Sequence, residues 1–324
     1  MKIGVIGAGA WGTALAQVAA TGGQDVTLWA REPEVVSSIN DTHVNTLFLP
    51  KAKLSPAIRA TGDLAELGDA EALLVVVPAQ HVGAVLREID VASRPLVLCA
   101  KGIEAGTRRL VSEIASEARP DSPLAVLSGP TFAHEVAAGL PTAVTLACAD
   151  AGLRDALAER LASPSLRPYA SDDVVGAEIG GAVKNVLAIA CGVVDGAGLG
   201  QNARAAVIAR GFAEMTRYGI ARGARVETLS GLSGLGDLVL TCSSTSSRNF
   251  SLGVGIGEGR PAASMLADRR TVAEGAFTAP VLREDARARG VDMPVTEAVC
   301  ALLEGADVGA ITQALLARPL RPEA

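Results

Sequence analysis

Two lysines lie in surroundings that are unusual for a charged side chain. Lys184 interrupts an apolar helical stretch, one turn from Gly180 and Gly181 and directly before Asn185, and Lys101 follows an apolar strand-like run. A lysine on an apolar helix can extend to solvent, but the glycines would leave room for a ligand. A desolvated lysine beside another cation has a lowered pKa, which suits proton transfer near neutral pH. The pair therefore predicts general acid–base chemistry.

A second cluster lies in Ser230–Gly257, where the only charged residues are Asp237 and Arg248. Arg248 follows the run SSTSS and precedes Asn249, so a guanidinium, hydroxyls and an amide occur together. These are the donors that a phosphate monoester requires. Alternatively, Ser247 or Asn249 caps a helix. The two interpretations are compatible, because both use the same helix start.

A glycine fingerprint near the N-terminus indicates a nucleotide site. Gly7, Gly9 and Gly12 follow the strand-like Lys2–Ile6 and open the helix-like Thr13–Ala20. In such a strand–turn–helix the first glycine permits the turn and the second lets the backbone approach a pyrophosphate. The third lets the helix pack closely on the sheet. The helix N-terminus directs free N–H groups at the phosphates.

The second strand-like run ends in LWAR, which bears on the choice of cofactor. NAD-specific folds usually have an acid at this point, whereas here Arg31 occurs. A guanidinium can pair with a 2′-phosphate, so Arg31 predicts NADP(H), alone or alongside NAD(H). The alternative is a surface arginine opposite Glu32 or Glu34.

The surrounding pattern predicts elements that could position these groups. Strand-like runs alternate with helical stretches up to about residue 171, which predicts a Rossmann-type doubly wound, mostly parallel sheet. Helical periodicity follows. We therefore predict an α/β protein with a dinucleotide-binding domain over residues 1–178 and an all-helical substrate domain over residues 179–324. The predicted strands are Ile3–Ile6, Val26–Trp29, Ile58–Thr61, Leu73–Val77, Leu96–Ala100, Leu124–Leu127 and Val144–Ala147.

Composition excludes several classes of protein. The chain has 324 residues, 49% of them hydrophobic, and a net charge of −6 without a basic run, so we expect no nucleic-acid partner. No stretch reaches the roughly 18 uninterrupted apolar residues of a membrane span, so we expect no stable membrane insertion. The five scattered cysteines and three histidines show no metal-ligand spacing. They predict free thiols in the cytoplasm and no metal site.

The motifs together resemble the bacterial-type NAD(P)-dependent glycerol-3-phosphate dehydrogenases. The resemblance is collinear from residue 3 to at least Gly275 and covers both predicted domains. It rests on GAGAWGTALA, LSGPTFAHEVAAGLPTA, GGAVKNVLAIACGVVDG and GLSGLGDLVLTCSSTSSRN. It implies that the protein interconverts dihydroxyacetone phosphate and sn-glycerol 3-phosphate with NADP(H) and/or NAD(H), for phospholipid synthesis. We also expect a homodimer, the commonest arrangement of soluble enzymes.

The resemblance also implies roles for individual residues, with Lys184 as the general acid/base. The implied substrate contacts are Lys101, Gly129, Thr131, Lys184, Asp237, Ser247, Arg248 and Asn249. The implied cofactor contacts are Gly7, Gly9, Ala10, Trp11, Gly12, Arg31, Lys101, Ala133, Arg248, Val272 and Glu274. Ala10 is a departure, since the family often has serine there. The missing hydroxyl removes at most one hydrogen bond, worth about 1 kcal/mol.

Two alternatives remain open at this point. A related β-hydroxyacid dehydrogenase or ketopantoate-type reductase would share the fold and a lysine in the helical domain, but its substrate carries a carboxylate. A catalytically silent NADP(H)-binding sensor is a different class, and the presence of Lys101, Lys184 and Asp237 argues against it.

Overall fold

A computed structural model of the chain describes residues 1–267 and 273–319. Its first part is a single sheet of eight strands. The strands are β1 (Lys2–Ile6), β2 (Asp25–Trp29), β3 (Ile58–Thr61), β4 (Ala72–Val75), β5 (Leu96–Leu98), β6 (Leu124–Ser128), β7 (Thr142–Ala147) and β8 (Leu166–Ser171).

The strand order confirms the predicted doubly wound sheet. The order is β3-β2-β1-β4-β5-β6-β7-β8, and β1 to β6 run parallel. Strand β7 is antiparallel to β6, and β8 is parallel to β7. The order reverses between β1 and β4, and such a switch point opens a ligand crevice beyond the carboxyl ends of the strands.

Strand β8 is the element of the sheet that the sequence analysis missed. Its sequence, LRPYAS, contains a proline and lacks a continuous apolar run, and it forms one edge of the sheet. Proline is tolerated on an edge strand because no partner strand needs its missing N–H group. One-sided burial of an edge strand weakens the apolar pattern from which the other strands were predicted.

Helices cover both faces of this sheet. Consecutive strand residues such as Leu74 and Val75, or Val97 and Leu98, belong to separate apolar clusters on opposite faces. This alternation is the pleat of a strand that is buried on both sides. The helices of this part are α1 (Ala10–Thr21), α2 (Pro33–Thr42), α3 (Val82–Glu88), α4 (Val111–Ala118), α5 (Ala133–Ala137) and α6 (Ala151–Leu161).

The remainder of the described chain is helical, as predicted. Its helices are α7 (Val174–Gly196), α8 (Gly200–Ala221), α9 (Val226–Leu229), α10 (Asp237–Thr241), α11 (Arg248–Gly257), α12 (Ala262–Leu266), α13 (Glu274–Ala288), α14 (Pro294–Leu303) and α15 (Val308–Leu316). A π-helical turn over Leu232–Gly236 directly precedes α10. Most of these helices pack around α7, which lies at the centre of the apolar core of the helical part.

The predicted boundary between residues 178 and 179 falls inside α7. This helix is continuous, and its first turn packs on the sheet through Val174 and Ala177, whereas the rest belongs to the helical core. We propose a boundary at residues 172 and 173, because the last strand ends at Ser171 and the Asp173 carboxylate caps α7. Helix α7 is long and apolar enough to cross a membrane, but 89% of its most apolar window is buried inside the protein.

The C-terminal end of helix α8 contains two glycines with different roles. A glycine directly after Tyr218 favours a helix end there, but the helix continues to Ala221, and the positive-φ residue beyond its end is Gly223 (φ +93°). Gly219 serves packing instead, since a Cβ there would lie 2.5 Å from Leu229 Cδ1. A glycine required for close packing gives the same sequence signal as a glycine required for a turn.

Helices α7 and α11 approach each other closely through glycines on both. A Cβ on Gly192 would lie 2.1 Å from the Phe250 carbonyl oxygen, and one on Gly253 would lie 2.1 Å from the Ile189 carbonyl oxygen. Any larger residue at these positions would push the backbones apart. The glycines therefore fix the separation of the two helices that carry Lys184 and Arg248.

Candidate active site

The glycine loop after β1 has the shape that its sequence predicts. Gly7 adopts φ +112°, and a Cβ on Gly12 would lie 1.8 Å from the Gly7 carbonyl oxygen. Beside Gly9, no heavy atom of the described residues lies within 4 Å of an added Cβ, so the backbone is open where a pyrophosphate would approach. The indole Nε1 of Trp11 is buried and has no hydrogen-bond partner in the part of the chain that the structure describes. These features fit a dinucleotide bound at the N-terminus of α1.

Arg31 lies just beyond β2, at the same edge of the sheet. Its side chain is 79% exposed and forms an ion pair with Glu32, with 2.9 Å between Arg31 Nη2 and Glu32 Oε1. The alternative of a surface ion pair therefore describes the observed contact. Because exposed pairs of this kind are weak, the contact leaves the guanidinium able to bind a phosphate.

The central feature of the site is a carboxylate held between two ammonium groups. Asp237 Oδ1 lies 2.8 Å from Lys184 Nζ, and Asp237 Oδ2 lies 2.7 Å from Lys101 Nζ. Asp237 is fully buried and Lys184 is 6% exposed. Residues that are distant in the sequence thus meet at the carboxyl edge of the sheet. With two cations and one anion, the cluster carries one excess positive charge.

Three structural elements converge to place these groups. Lys101 follows β5, Lys184 lies in the middle of α7, and Asp237 is the first residue of α10 after the π-helical turn. We predicted that the glycines before Lys184 make room for a ligand, and this prediction is wrong. A Cβ on Gly180 would lie 2.3 Å from the Ser233 carbonyl oxygen, and one on Gly181 would lie 3.2 Å from Lys101 Cγ. They admit the π-helical turn and the Lys101 stem, so their role is to bring the cluster together.

Burial lowers the pKa of Lys184 to about 8, and the Lys101 charge acts in the same direction, whereas Asp237 opposes the shift. Removing an ammonium from water favours its neutral form, and a neighbouring carboxylate favours its charged form. The result is a lysine that is mostly protonated at neutral pH but can lose its proton at modest cost. This is the range in which a general acid–base group works best.

Two further residues of the cluster were missed as site residues. Thr241 Oγ1 accepts a hydrogen bond from Lys184 Nζ (2.9 Å) and donates one to Asp237 Oδ1 (3.2 Å). Asn185 Oδ1 accepts from Asn249 Nδ2 at 3.0 Å. Thr241 lies four residues after Asp237, and a helical period would have placed both side chains on one face. Asn185 has no sequence signal of its own beyond its position next to Lys184.

Helix α11 begins at the predicted phosphate cluster. Ser247 caps it, its Oγ accepting from the Phe250 N–H at 3.2 Å. Arg248 is exposed, and its guanidinium donates no hydrogen bond to any described part of the chain, residues 1–267 and 273–319. Asn249 is buried and accepts from the Gly275 N–H at 2.9 Å. The cluster thus presents an exposed guanidinium at a helix N-terminus, and the adjacent Asn249 contacts Asn185.

The other predicted contacts that the structure describes lie between Gly129 and Ala133 and at the start of α13. The Gly129 carbonyl oxygen accepts from Lys101 Nζ (3.1 Å) and Thr131 Oγ1 (3.2 Å). Ala133 begins α5, and helix α5 packs on α1. Burial raises the pKa of Glu274 to about 7, against the effect of the Arg248 charge. Val272 lies outside the described residues.

Comparison with known proteins shows the family. The family model described as NAD-dependent glycerol-3-phosphate dehydrogenase N-terminus matches residues 2–153, and the corresponding C-terminus model matches residues 173–312. The chain belongs to the NAD-dependent glycerol-3-phosphate dehydrogenase family. The C-terminus match begins at residue 173, which coincides with the boundary that we place between residues 172 and 173.

Individual members of the glycerol-3-phosphate dehydrogenase family match over almost the whole chain. A glycerol-3-phosphate dehydrogenase [NAD(P)+] of Erythrobacter litoralis is 65% identical over 99% of this chain and 98% of its own length. One of Novosphingobium aromaticivorans is 63% identical over the same shares. The crystal structure of a glycerol-3-phosphate dehydrogenase of Coxiella burnetii superposes with a TM-score of 0.93 at 40% identity, covering 98% of this chain and 99% of that one. These relatives do not favour the reductase alternative.

Proposed function

We propose that this protein catalyses the interconversion of dihydroxyacetone phosphate and sn-glycerol 3-phosphate with NAD(P)H, supplying glycerol 3-phosphate for phospholipid synthesis. The observation that carries the proposal is the cluster of Lys101, Asp237 and Lys184 at the carboxyl edge of a dinucleotide-binding sheet. The cluster is connected to the start of α11 by one hydrogen bond. Asn249, which follows Arg248, donates it to Asn185, which follows Lys184. A ketone-reducing site and a phosphate site therefore adjoin.

When bound, the nicotinamide cofactor would supply the hydride for C2 of the ketone. The carbonyl oxygen must also receive a proton, and we assign Lys184 as the group that gives it. Its hydrogen bonds to Asp237 and Thr241 orient the ammonium. Lys101 adds a second positive charge near the oxygen that becomes an alkoxide in the transition state. Fixed charges of this kind stabilise the transition state without reorganisation.

Asp237 makes this arrangement of two lysines possible. Its carboxylate holds both ammonium groups within 2.8 Å, so neither lysine has to extend to solvent. Since only one of the two positive charges is neutralised, the site still attracts an anionic substrate. We therefore assign Asp237 to holding the lysines in place as well as to substrate binding.

The substrate phosphate is expected at the start of α11. Arg248 offers a planar pair of donors, and the first N–H groups of a ten-residue helix add their dipole. Asn249 and Ser247 complete the donor set. Because the phosphate is remote from C2, binding energy gained there would orient the ketone toward Lys184.

The cofactor is expected to lie along the glycine loop. Gly9, Ala10 and Trp11 at the start of α1 would contact the pyrophosphate, and Trp11 Nε1 would gain a partner there. Arg31 would lie at the adenosine end, and Ala133 and Glu274 toward the other end. Val272 belongs to the same proposed set by resemblance only.

Arg31→Asp should raise the KM for NADPH far more than the KM for NADH. The change would place a carboxylate where a 2′-phosphate binds, and repulsion between like charges acts on NADPH alone. Initial rates with both cofactors at saturating dihydroxyacetone phosphate check this. Equal effects on the two KM values would mean that Arg31 does not contact the 2′-phosphate.

Arg248→Lys should lower kcat/KM for dihydroxyacetone phosphate. The lost transition-state stabilisation should be about 2–3 kcal/mol, within the range for a hydrogen bond to a charged group. Lysine keeps the charge but loses the two parallel donors of the guanidinium. Unphosphorylated dihydroxyacetone should be almost indifferent to the change. The two substrates and two enzymes form a double-mutant cycle, and a coupling energy near zero would remove Arg248 from the phosphate site.

Oligomeric state and location extend the proposal. Helix α15 buries none of its nine residues within one chain, and Leu316 is 81% exposed. Val308 and Ile311 pack partly on the helical core, and the remaining apolar surface of α15 suits an interface, so we expect a homodimer, which light scattering would measure. The five cysteines are free and buried, in keeping with a cytoplasmic enzyme. We expect no membrane insertion, because α7 is the core of the helical part.

Inhibition by simple anions separates this function from a reductase of carboxylate substrates. Inorganic phosphate should compete with dihydroxyacetone phosphate, because it would occupy the start of α11, and a monocarboxylate such as acetate should not. Competition by acetate in place of phosphate would favour the ketopantoate-type reaction and overturn the assignment.

A further inference from the structure

The ion pair at the end of β2 involves the residue that faces the cofactor's adenosine end in the proposed function. Both Arg31 Nη2 and Arg31 Nε donate to the same oxygen, Glu32 Oε1, at 2.9 and 3.2 Å. The Glu32 side chain is 27% exposed, which is much less than the 79% of Arg31. The carboxylate is therefore the more buried member of the pair.

The backbone around this pair is fixed next to the glycine loop. The Ala30 N–H donates to the Thr61 carbonyl oxygen at 2.9 Å, and Trp29 Nε1 donates to the Gly62 carbonyl oxygen at 3.1 Å. The Gly7 N–H donates to the Trp29 carbonyl oxygen at 3.1 Å. The end of β2 is thus tied to β3 on one side and to the dinucleotide loop on the other.

Glu32 directly precedes α2, but its side chain does not cap the helix. It occupies the N-cap position, and its side chain makes no capping hydrogen bond. A carboxylate that served the helix would accept an N–H of the first turn. The one hydrogen-bonding partner of this side chain among residues 1–267 and 273–319 is Arg31.

We propose that Glu32 sets the enzyme's preference between NADPH and NADH by competing with the cofactor for Arg31. The proposal rests on the proposed function, in which Arg31 faces the ribose of the adenosine. A 2′-phosphate has to displace the Glu32 carboxylate from Arg31 and then lies close to a like charge. A 2′-hydroxyl is neutral, needs no arginine, and can donate a hydrogen bond to a carboxylate. The same side chain therefore opposes NADPH and tolerates or favours NADH.

The strength of the pair suits such competition. Exposed ion pairs contribute about 0–1 kcal/mol, so a phosphate dianion can displace Glu32 at small cost. Glu32 would then reduce the affinity for NADPH without abolishing it. The expected outcome is an enzyme that uses both cofactors, in agreement with the NAD(P)+ designation of its relatives.

Glu32→Gln tests the proposal, because glutamine keeps the size and loses the charge. Fluorescence titration of the purified protein should show NADPH binding about three- to fivefold more tightly, the upper range for an exposed charge pair. NADH binding should stay unchanged or weaken. Glu34→Gln is the matched control. Glu34 is exposed in the first turn of α2, and its substitution removes the same charge without changing the contact with Arg31.

Two outcomes would overturn the proposal. One is an equal gain in NADPH affinity from Glu34→Gln, which would make the effect a general surface potential. The other is a Glu32→Gln gain that persists in an Arg31→Ala background, which would show that Arg31 is not the contested group. The titration needs no turnover, so a failure of the reaction with dihydroxyacetone phosphate would be seen separately in the activity assay.

Discussion

Lys184→Met is expected to lower kcat for dihydroxyacetone phosphate reduction on the order of a hundredfold or more, the usual contribution of a general acid. Methionine keeps the apolar stem that the buried position on α7 requires. Asp237 would still be paired with Lys101, so the variant buries no uncompensated charge. Steady-state rates, together with NADPH titration and thermal unfolding, separate a loss of chemistry from a loss of fold.

The control for this experiment is cofactor binding, which should change little because Lys184 lies away from the glycine loop on another element. Near-normal turnover in Lys184→Met would show that Lys184 is not the proton donor. A lowered kcat with an equally weakened NADPH affinity would instead indicate a disturbed cleft.

The pH dependence of the wild-type enzyme should report the same group. With a pKa of about 8, Lys184 is protonated below that pH and neutral above it. Ketone reduction needs the protonated form, so its kcat/KM should fall as pH rises through about 8. Alcohol oxidation needs the neutral amine, so its kcat/KM should rise over the same interval. Profiles in both directions that share no such transition would assign proton transfer to another group.

Asp237→Asn is expected to have the largest effect on stability. It leaves two lysine ammoniums close together without a carboxylate, and breaking a buried ion pair costs about 3–5 kcal/mol. Urea unfolding at pH 6 measures the loss. Lys184→Met combined with Asp237→Asn provides the control, because only Lys101 then lacks a counterion. Asp237→Asn should lower the free energy of unfolding less in the Lys184→Met protein than in the wild type.

The loss should also depend on pH. Without Asp237 the folded-state pKa of Lys184 falls further below its unfolded value of about 10.4, so the unfolded chain binds more protons over a wider pH range. The stability of the variant therefore rises with pH between the folded-state and the unfolded-state pKa of Lys184. The deficit relative to wild type should be smaller at pH 8 than at pH 6. A deficit independent of both pH and Lys184 would mean that Asp237 acts through packing alone.

The parts of the fold that follow from local sequence could be predicted. The glycine loop, the parallel strands and the cap at Ser247 each depend on residues within one turn or one strand, and their patterns are short. The doubly wound topology followed because right-handed crossovers leave few ways to arrange alternating strands and helices. The strand over Leu166–Ser171 was not predicted, because an edge strand is buried on one side only and lacks a continuous apolar run.

The contacts that define the site could not be predicted in this way. Asp237 lies 136 positions from Lys101 and 53 from Lys184, and no local pattern records such a meeting. Gly180 and Gly181 show the same limit. A glycine beside a lysine is compatible with a ligand or with a neighbouring backbone, and only the position of the π-helical turn decides between them. The Arg31–Glu32 contact was foreseen only as an alternative.

The most direct test of the account is NADPH oxidation, followed by absorbance, with dihydroxyacetone phosphate and with ketopantoate as substrates of the wild-type enzyme. We predict rapid oxidation with dihydroxyacetone phosphate, sn-glycerol 3-phosphate as the product, and negligible oxidation with ketopantoate. Turnover of ketopantoate without turnover of dihydroxyacetone phosphate would contradict the account, and so would NADPH binding without oxidation by either substrate.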